Sequence, residues 1–445
     1  MSSVSVDSTL RAFATVWLNG KLVGGWPYGY NSFRLDLTPH VIPGGVNQLA
    51  IRLDNPAHSA RWYPGGGLYR NVWLTRTNRV HVGHWGTQVT TPQVSKTSAT
   101  VDVISLNYQG SGIRSLPGQF PAFHAAFPDK VILHSESAAA LSSRGEYQFP
   151  VSGSISGPVR PGSGGDPKTR QVSAYELHAA DFGSSADRAF ASLDQNPYVA
   201  GEFIWSGWDY LGEPTPYYSS RSSYYGIIDL AGFKKDRFYI YQARWRPELP
   251  MAHLLPHWTW PGREGEVTPV HLFTSGDEAE LFVNGKSQGR KKKAQYEYRL
   301  RWDYVTYEPG ELRAVAYKNG KEWATAVVRT ASAPAKLELT PDRARIRADG
   351  SDLSFVTLRI LDANGVPAPA ADDLIRFSIE GPGEIVATDN GDPTSFVPFQ
   401  SPQRKAFNGL CLVIVRGNPG DAGKITLRAQ APGLQSTSVV LNSTR

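Results

Sequence analysis

Hydrophobic positions recur along most of the chain in short runs bounded by glycine, proline and asparagine, a pattern typical of β-strands. The Asn-Gly pairs that begin at Asn19, Asn284 and Asn319 lie beside apolar or aromatic strand-like residues. Both positions of a two-residue hairpin turn need positive φ, which Asn and Gly adopt readily, so each pair predicts a β-hairpin. The first two pairs lie in similar frames, VWLNGKLVGG and LFVNGKSQGR, without a fixed period. We therefore expect two separate β-sandwiches rather than a solenoid.

The middle of the chain has a different pattern. Its apolar runs VISLNY, KVILHSE and YVAGEFIWSGW are separated by stretches that could form helices, such as 184–193, where alanines have helical spacing before an Asn-Pro stop. A Gly-, Pro- and Ser-rich stretch at 153–168 predicts a long loop. The β/α alternation predicts barrel strands, but a complete barrel takes about 250 residues. We therefore expect an incomplete barrel, whose edges are covered by other segments, by another chain or not at all.

Composition shifts divide the chain into four predicted domains. The fold class is mostly β and multidomain with a partial β/α (TIM) barrel. A Pro/Ala-rich linker precedes the last domain, whose alternating strands LSFVTLRILD and KITLRAQA are typical of an immunoglobulin-type sandwich. The predicted domains are a partial jelly-roll sandwich (1–101), the C-terminal part of a barrel (102–248), an accessory β-sandwich (249–331) and an immunoglobulin-type sandwich (335–445).

Candidate chemistry lies at the ends of two apolar runs. Glu136 follows VILHS in a small, polar setting, and the run VAGEFIWSGWDY carries Trp205 and Asp209. Sugar rings stack on indole faces, and carboxylates act on the anomeric carbon, so this combination indicates glycoside chemistry. The alternatives from the residues alone are a surface glutamate at a strand end, a core tryptophan and an aspartate that caps a turn.

Several long segments resemble glycoside hydrolase family 2, and in particular its β-galactosidase-like enzymes. The matching segments are VWLNGKLVGGWPYGYNSFRLDLT, ARWYPGGGLYRNVWL, LNYQG, SES with SSRG, GEFIWSGWDYLGEPTPY and YYGIIDLAGFKKDRFYIYQARW. The resemblance implies a retaining mechanism on terminal β-galactosides. It passes from the sugar-binding domain straight to the sixth barrel strand, which implies an internal deletion that covers an immunoglobulin-like middle domain and the first barrel strands.

The resemblance also assigns roles to single residues. Glu136 matches the nucleophile, and Tyr108 matches the tyrosine that hydrogen-bonds it, with a core tyrosine as the alternative. The predicted substrate-binding residues are Trp205, Asp209, Asn107, Arg61 and Asn55, of which the last two could instead only fix a loop. The family's acid/base glutamate follows an asparagine, and no Asn in the chain precedes a Glu. We do not expect Glu202 or Glu213, near the eighth strand, to replace that acid.

Charge and cysteine content narrow the possible partners and cofactors of the protein. The net charge is +6, but Lys and Arg are spread along the chain, and the cluster 290–293 is predicted to be a solvated turn, so we expect no nucleic-acid partner. The single cysteine, Cys411, is predicted to be a buried strand thiol. The sequence shows no metal-ligand spacing and no cofactor motif, so we expect neither a metal ion nor a cofactor. We see no signal peptide or membrane span, and the compartment stays open because such relatives are often periplasmic or secreted.

Two functions from different classes remain. The first is a β-galactosidase-type hydrolase, impaired by the missing acid/base residue, which binds a β-galactoside or related oligosaccharide. The second is a carbohydrate-binding or cell-surface β-sandwich protein without catalysis, for which Trp258 and Trp260 are candidate exposed aromatics. An inactive gene fragment is a further alternative. An incomplete barrel could also pair with a second copy as a homo-oligomer.

Overall fold

The computed structural model describes residues 3–11, 13–27, 32–54, 67–68, 72–77, 103–151 and 153–445. The chain divides into two compact units, Met1–Thr100 and Val101–Arg445. Strands dominate both units. Among the helices of the described ranges, none has the length and apolar character needed to cross a bilayer.

The described residues of the first unit form two antiparallel sheets. One has the order β4-β1-β7, with β6 also paired to β1, and the other has the order β3-β2-β5. Alternate residues Ala14, Val16 and Leu18 of one strand are buried against Phe33 and Leu37. The elements are β1 (Ser3–Arg11), β2 (Phe13–Leu18), β3 (Lys21–Trp26), β4 (Ser32–Asp36), a 3-10 turn (Thr38–His40), β5 (Leu49–Asp54), β6 (Gly67–Leu68) and β7 (Trp73–Thr77).

The second unit begins with a parallel sheet of three strands in the order β13-β9-β8, curled like part of a barrel. This confirms the predicted incomplete barrel pattern in the described residues. The predicted loop 153–168 also holds residues of two very short strands. The elements are β8 (Val103–Asn107), α1 (Phe120–Ala126), β9 (Val131–Ala138), β10 (Arg160–Pro161), β11 (Gly164–Asp166), β12 (Gln171–Val172), α2 (Ala186–Gln195), β13 (Val199–Trp205) and α3 (Asp236–Trp245).

Helix α2 begins after a serine cap and ends before an Asn-Pro pair. Ser185 has an extended backbone, and its side chain accepts a hydrogen bond from the Arg188 N–H, which satisfies a free donor of the first turn. Ala186, Ala189 and Phe190 bury the inner face. The helix ends before the Asn196-Pro197 pair, because Pro disfavours helical backbone in the residue that precedes it. The sequence-based prediction of a helix at 184–193 is therefore confirmed within two residues.

The next region is a two-sheet sandwich with the orders β14-β15-β18 and β17-β16-β19-β20. The prediction that Trp258 is exposed is wrong, because its side chain is 0% exposed in the core between these sheets. The predicted turn at 290–293 is also wrong, because residues 290–292 belong to an exposed strand. The strands are β14 (Ala252–Leu255), β15 (Val270–Thr274), β16 (Glu278–Val283), β17 (Lys286–Lys292), β18 (Leu300–Trp302), β19 (Glu311–Lys318) and β20 (Lys321–Arg329).

The last sandwich has sheets of four and five strands, β21-β23-β27-β25 and β22-β29-β28-β24-β26. Cys411 is buried and unpaired in β27, as predicted. The Asn-Gly pairs that begin at Asn19, Asn284 and Asn319 form two-residue hairpin turns with positive φ, which confirms those predictions. The strands are β21 (Pro334–Pro341), β22 (Arg345–Arg347), β23 (Leu353–Asp362), β24 (Leu374–Glu380), β25 (Gly383–Asp389), β26 (Gln403–Lys405), β27 (Leu410–Gly417), β28 (Gly423–Gln430) and β29 (Thr437–Thr444).

Candidate active site

A hydrogen-bonded carboxylate lies at the carboxyl ends of the parallel strands. Glu136 is in β9, and Asn107 is the last residue of the neighbouring strand β8, in register with it. Tyr108 follows Asn107 directly. Because parallel strands end at the same edge of a sheet, the sequence places these three side chains together although 28 positions separate Tyr108 from Glu136.

Both oxygens of the Glu136 carboxylate accept a hydrogen bond. The Tyr108 hydroxyl donates to Oε1 at 2.5 Å, and the Asn107 amide donates to Oε2 at 2.7 Å. The Ser135 hydroxyl in turn donates to the amide oxygen of Asn107 at 2.9 Å, which orients that amide. Burial, together with the hydrogen bond to Glu136, raises the pKa of Tyr108 well above its ordinary value. The phenol therefore stays protonated and acts as the hydrogen-bond donor to Glu136. The carboxylate is thus held in one orientation and stays half-buried.

Aromatic side chains continue from this carboxylate toward β13. Tyr108 contacts Phe182 with ring centroids 5.1 Å apart, Phe182 contacts Tyr225 at 6.3 Å, Tyr225 stacks on Tyr210 at 6.5 Å, and Tyr210 meets the edge of Trp205 at 5.7 Å. We call these five residues the aromatic cluster. The structure therefore brings the predicted Trp205, at the end of β13, into one cluster with Tyr108.

Asp209 occupies a different environment from the other predicted site residues. Its side chain is 4% exposed, and its carboxylate pairs with the Lys235 ammonium at 2.6 Å and accepts the Gly226 N–H at 2.8 Å. Burial raises the pKa of Asp209 to about 6, and the nearby ammonium opposes that shift. The structure thus places Asp209 in the interior, where it ties the segment after β13 to the start of α3.

The sequence predicted no role for Arg237, a buried arginine whose hydrogen bonds reach the segment that follows Glu136. Arg237 donates to Glu176 at 2.6 Å and to the main-chain carbonyls of Ala140 and Tyr225 at 2.6 and 2.7 Å. Ala140 lies four residues after Glu136, so this guanidinium fixes the segment that follows the nucleophile candidate. A signal for Arg237 is present in the sequence, because the residue lies in the KKDRF run of a segment that resembles the family.

Two of the predicted substrate-binding residues, Arg61 and Asn55, lie outside the described residues. Within the described ranges, His, Cys, Asp and Glu form no group of three that could hold a metal ion. Near β13, the Glu202 carboxylate accepts the Ser137 hydroxyl at 2.9 Å, and the Glu213 carboxylate accepts the Tyr210 hydroxyl.

Comparison with known domain families gives two matches. Residues 337–440 match the profile of glycoside hydrolase family 2 C-terminal domain 5. Residues 265–324 match a domain of unknown function, DUF4982. The two matches fall in the two C-terminal sandwiches.

Curated relatives extend the similarity over most of the chain. A β-galactosidase of Bacteroides ovatus is 40% identical over 348 residues, which is 78% of this chain and 40% of that enzyme. A β-glucuronidase of Formosa agariphila is 27% identical over 278 residues, which is 60% of this chain and 27% of that enzyme. The chain thus spans less than half the length of these relatives.

A solved structure, a β-glycosidase from Bacteroides vulgatus, shares the fold. It superposes with a TM-score of 0.76 at 20% identity, covering 99% of this chain and 90% of that one. The C-terminal family profile and the curated relatives agree with the resemblance that several segments of the chain bear to this family. The chain is a member of glycoside hydrolase family 2.

Proposed function

We propose that the chain carries the nucleophile half of a retaining β-galactosidase active site, with Glu136 as the nucleophile. The observation that carries this proposal is the Glu136 carboxylate held at both oxygens by Tyr108 and Asn107 at the end of a barrel-type strand. The similarity to a β-galactosidase, at 40% identity, supports the galactoside as substrate.

The first step follows from this geometry. A Glu136 oxygen attacks the anomeric carbon of the galactoside, and the bond from that carbon to the leaving oxygen breaks, which gives a covalent galactosyl-enzyme. The Tyr108 phenol holds the carboxylate in the orientation for attack. Trp205, at the far side of the aromatic cluster, offers an indole face to the sugar, while Asp209 supports the segment that carries it.

The second carboxylate of this mechanism is absent from the matched segments. A general acid normally protonates the leaving oxygen and then activates water, and its contribution is about 10² to 10⁴-fold. We expect natural galactosides to react slowly. An aryl galactoside loses a stable phenolate without an acid, so its first step should survive and hydrolysis of the galactosyl-enzyme should become slow.

The test is hydrolysis of an aryl β-D-galactoside by the purified chain and by Glu136→Gln, each with and without azide. Azide needs no general base, so it should attack the galactosyl-enzyme, displace Glu136, yield galactosyl azide and raise the turnover of the unchanged chain. The Glu136→Gln variant should show no turnover under the same conditions. Equal rates for the two proteins would refute Glu136 as the nucleophile.

A further inference from the structure

A second carboxylate, Glu213, borders the aromatic cluster at the end opposite Glu136. The Tyr210 hydroxyl donates to Oε2 of Glu213, and Tyr210 contacts both Trp205 and Tyr225. The cluster thus extends from one carboxylate, at Tyr108, to another, at Tyr210. Burial and the hydrogen bond to Glu213 raise the pKa of Tyr210 well above its ordinary value, so this phenol remains the donor.

The backbone at Glu213 is strained. Its φ is +46°, in the left-handed region that glycine or asparagine adopts more easily, and Pro214 follows directly. The turn is held by hydrogen bonds from the Gly212 N–H to the Arg221 carbonyl at 3.0 Å and from the Thr215 N–H to the Glu213 carbonyl at 2.8 Å. Strained residues of this kind cluster at ligand sites, where the surrounding structure holds a side chain in a required position.

Three buried cations of the second unit are paired with buried carboxylates. Lys235 pairs with Asp209 at 2.6 Å, Arg237 with Glu176 at 2.6 Å, and Arg144 with Asp229 at 2.6 Å, and all six side chains are buried. Their charges are therefore neutralised inside the protein. The face of the cluster thus carries two carboxylates, and these three buried cations do not offset them.

We propose that Glu213 is a specificity determinant that selects neutral pyranosides and rejects uronides. Its carboxylate can accept hydrogen bonds from sugar hydroxyls, whereas the carboxylate of a uronide would be repelled by a second unit charge in a partly desolvated site. The inference rests on the proposed function, and it separates two substrate classes that occur among the relatives, the β-galactosides and the β-glucuronides.

The test compares aryl β-D-galactoside with aryl β-D-glucuronide hydrolysis by the unchanged chain and by Glu213→Gln. The substitution removes the charge and keeps the shape, so the glucuronide-to-galactoside ratio of kcat/KM should rise by about tenfold, the size expected for one unit charge acting over about 10 Å. Glu213→Asp keeps the charge and should keep the ratio low. Glu264→Gln, at an exposed position of the accessory sandwich, controls for the change in net charge.

Binding gives a second readout where turnover is too slow. Calorimetry measures the dissociation constants of isopropyl β-D-thiogalactoside and of the corresponding thioglucuronide. In Glu213→Gln the affinity for the thioglucuronide, relative to that for the thiogalactoside, should rise by the same factor as the kcat/KM ratio. A galactoside that binds or reacts with an unchanged ratio in Glu213→Gln overturns this inference and leaves the proposed function standing. Failure of the unchanged chain to bind or hydrolyse any galactoside overturns both. A thermal melt of each variant shows whether it is folded.

Discussion

The side-chain amide of Asn408 donates to the main-chain carbonyl of Arg144 at 2.7 Å, although 264 positions separate the two residues. The same amide donates to Glu146 at 2.8 Å. In the opposite direction, the Arg144 guanidinium donates to the carbonyls of Asn390 and Phe407 at 2.8 and 2.9 Å. The last sandwich is therefore bound to the segment that follows Glu136, and we infer that it stabilises the barrel strands rather than acting as a separate module.

We expect Asn408→Gly to lower the free energy of unfolding by about 1–3 kcal/mol, because it removes two hydrogen bonds, one of them to a carboxylate. Glycine tolerates the positive φ of 50° at this position, so the substitution adds no backbone strain. Urea denaturation at neutral pH measures the loss. The matched control is Asn319→Gly, at an exposed hairpin turn where φ is +53°, and equal losses in both variants would contradict the stabilising contact.

Asp229 is the charge partner of Arg144 at the same junction, and both side chains are buried. Its other oxygen accepts the N–H groups of Ala231 and Phe233, an acceptor role that asparagine can keep. Asp229→Asn should therefore leave the guanidinium as an uncompensated buried charge and lower the free energy of unfolding by about 3–5 kcal/mol.

Chemical denaturation of Asp229→Asn checks this value. Asp181→Asn is the control, since Asp181 pairs with Arg114 but is 88% exposed, and an exposed pair contributes about 1 kcal/mol or less. A loss of similar size in both variants would mean that burial of the Arg144 pair does not determine its contribution.

Tyr108→Phe should lower kcat on an aryl galactoside by about 10²-fold, because it removes one of the two donors that orient the Glu136 carboxylate. The change keeps the ring contact with Phe182, so we expect little change in the melting temperature. Steady-state kinetics with a thermal melt separates the two effects. The control is Tyr218→Phe, which removes a tyrosine hydroxyl from a side chain that is 70% exposed and lies away from Glu136. A comparable decrease of kcat in this control would rule out a specific role for Tyr108.

The parts of the fold that depend on local sequence were predictable. The hairpin at Asn19 needs only two residues with positive φ, and helix α2 needs a serine cap and an Asn-Pro stop. The pairing of Tyr108 with Glu136 also followed, because parallel strands place their ends together and the segments resembled a known family. In these cases the determining residues are neighbours in sequence or lie in a recognisable segment.

Other features depend on distant residues and were missed. Trp258 was expected on the surface, but its burial depends on two sheets that pack over it, and its indole N–H donates to the Glu308 carbonyl at 2.9 Å. The contact of Asn408 with Arg144 joins the last sandwich to the segment that follows β9, and no hydrophobic periodicity can reveal such a contact. The buried ammonium beside Asp209 likewise belongs to Lys235, the residue that precedes α3, 26 positions later in the sequence.

Asp209 should make the stability of the protein depend on pH. Its pKa is about 6 in the folded protein and close to the ordinary 3.8 in the unfolded chain, so the folded state binds more protons between these values. This contribution to stability is fully present below about pH 4 and is lost as pH rises through about 6. The total change is about 3 kcal/mol. In Asp209→Asn the side chain cannot bind this proton, so the contribution is missing at every pH. The unfolding free energy of the unchanged protein minus that of the variant should therefore fall between pH 4 and pH 7, and urea denaturation at several pH values measures it. A difference that stays constant across this range would mean that Lys235 holds Asp209 ionised throughout, so that desolvation does not dominate at this site.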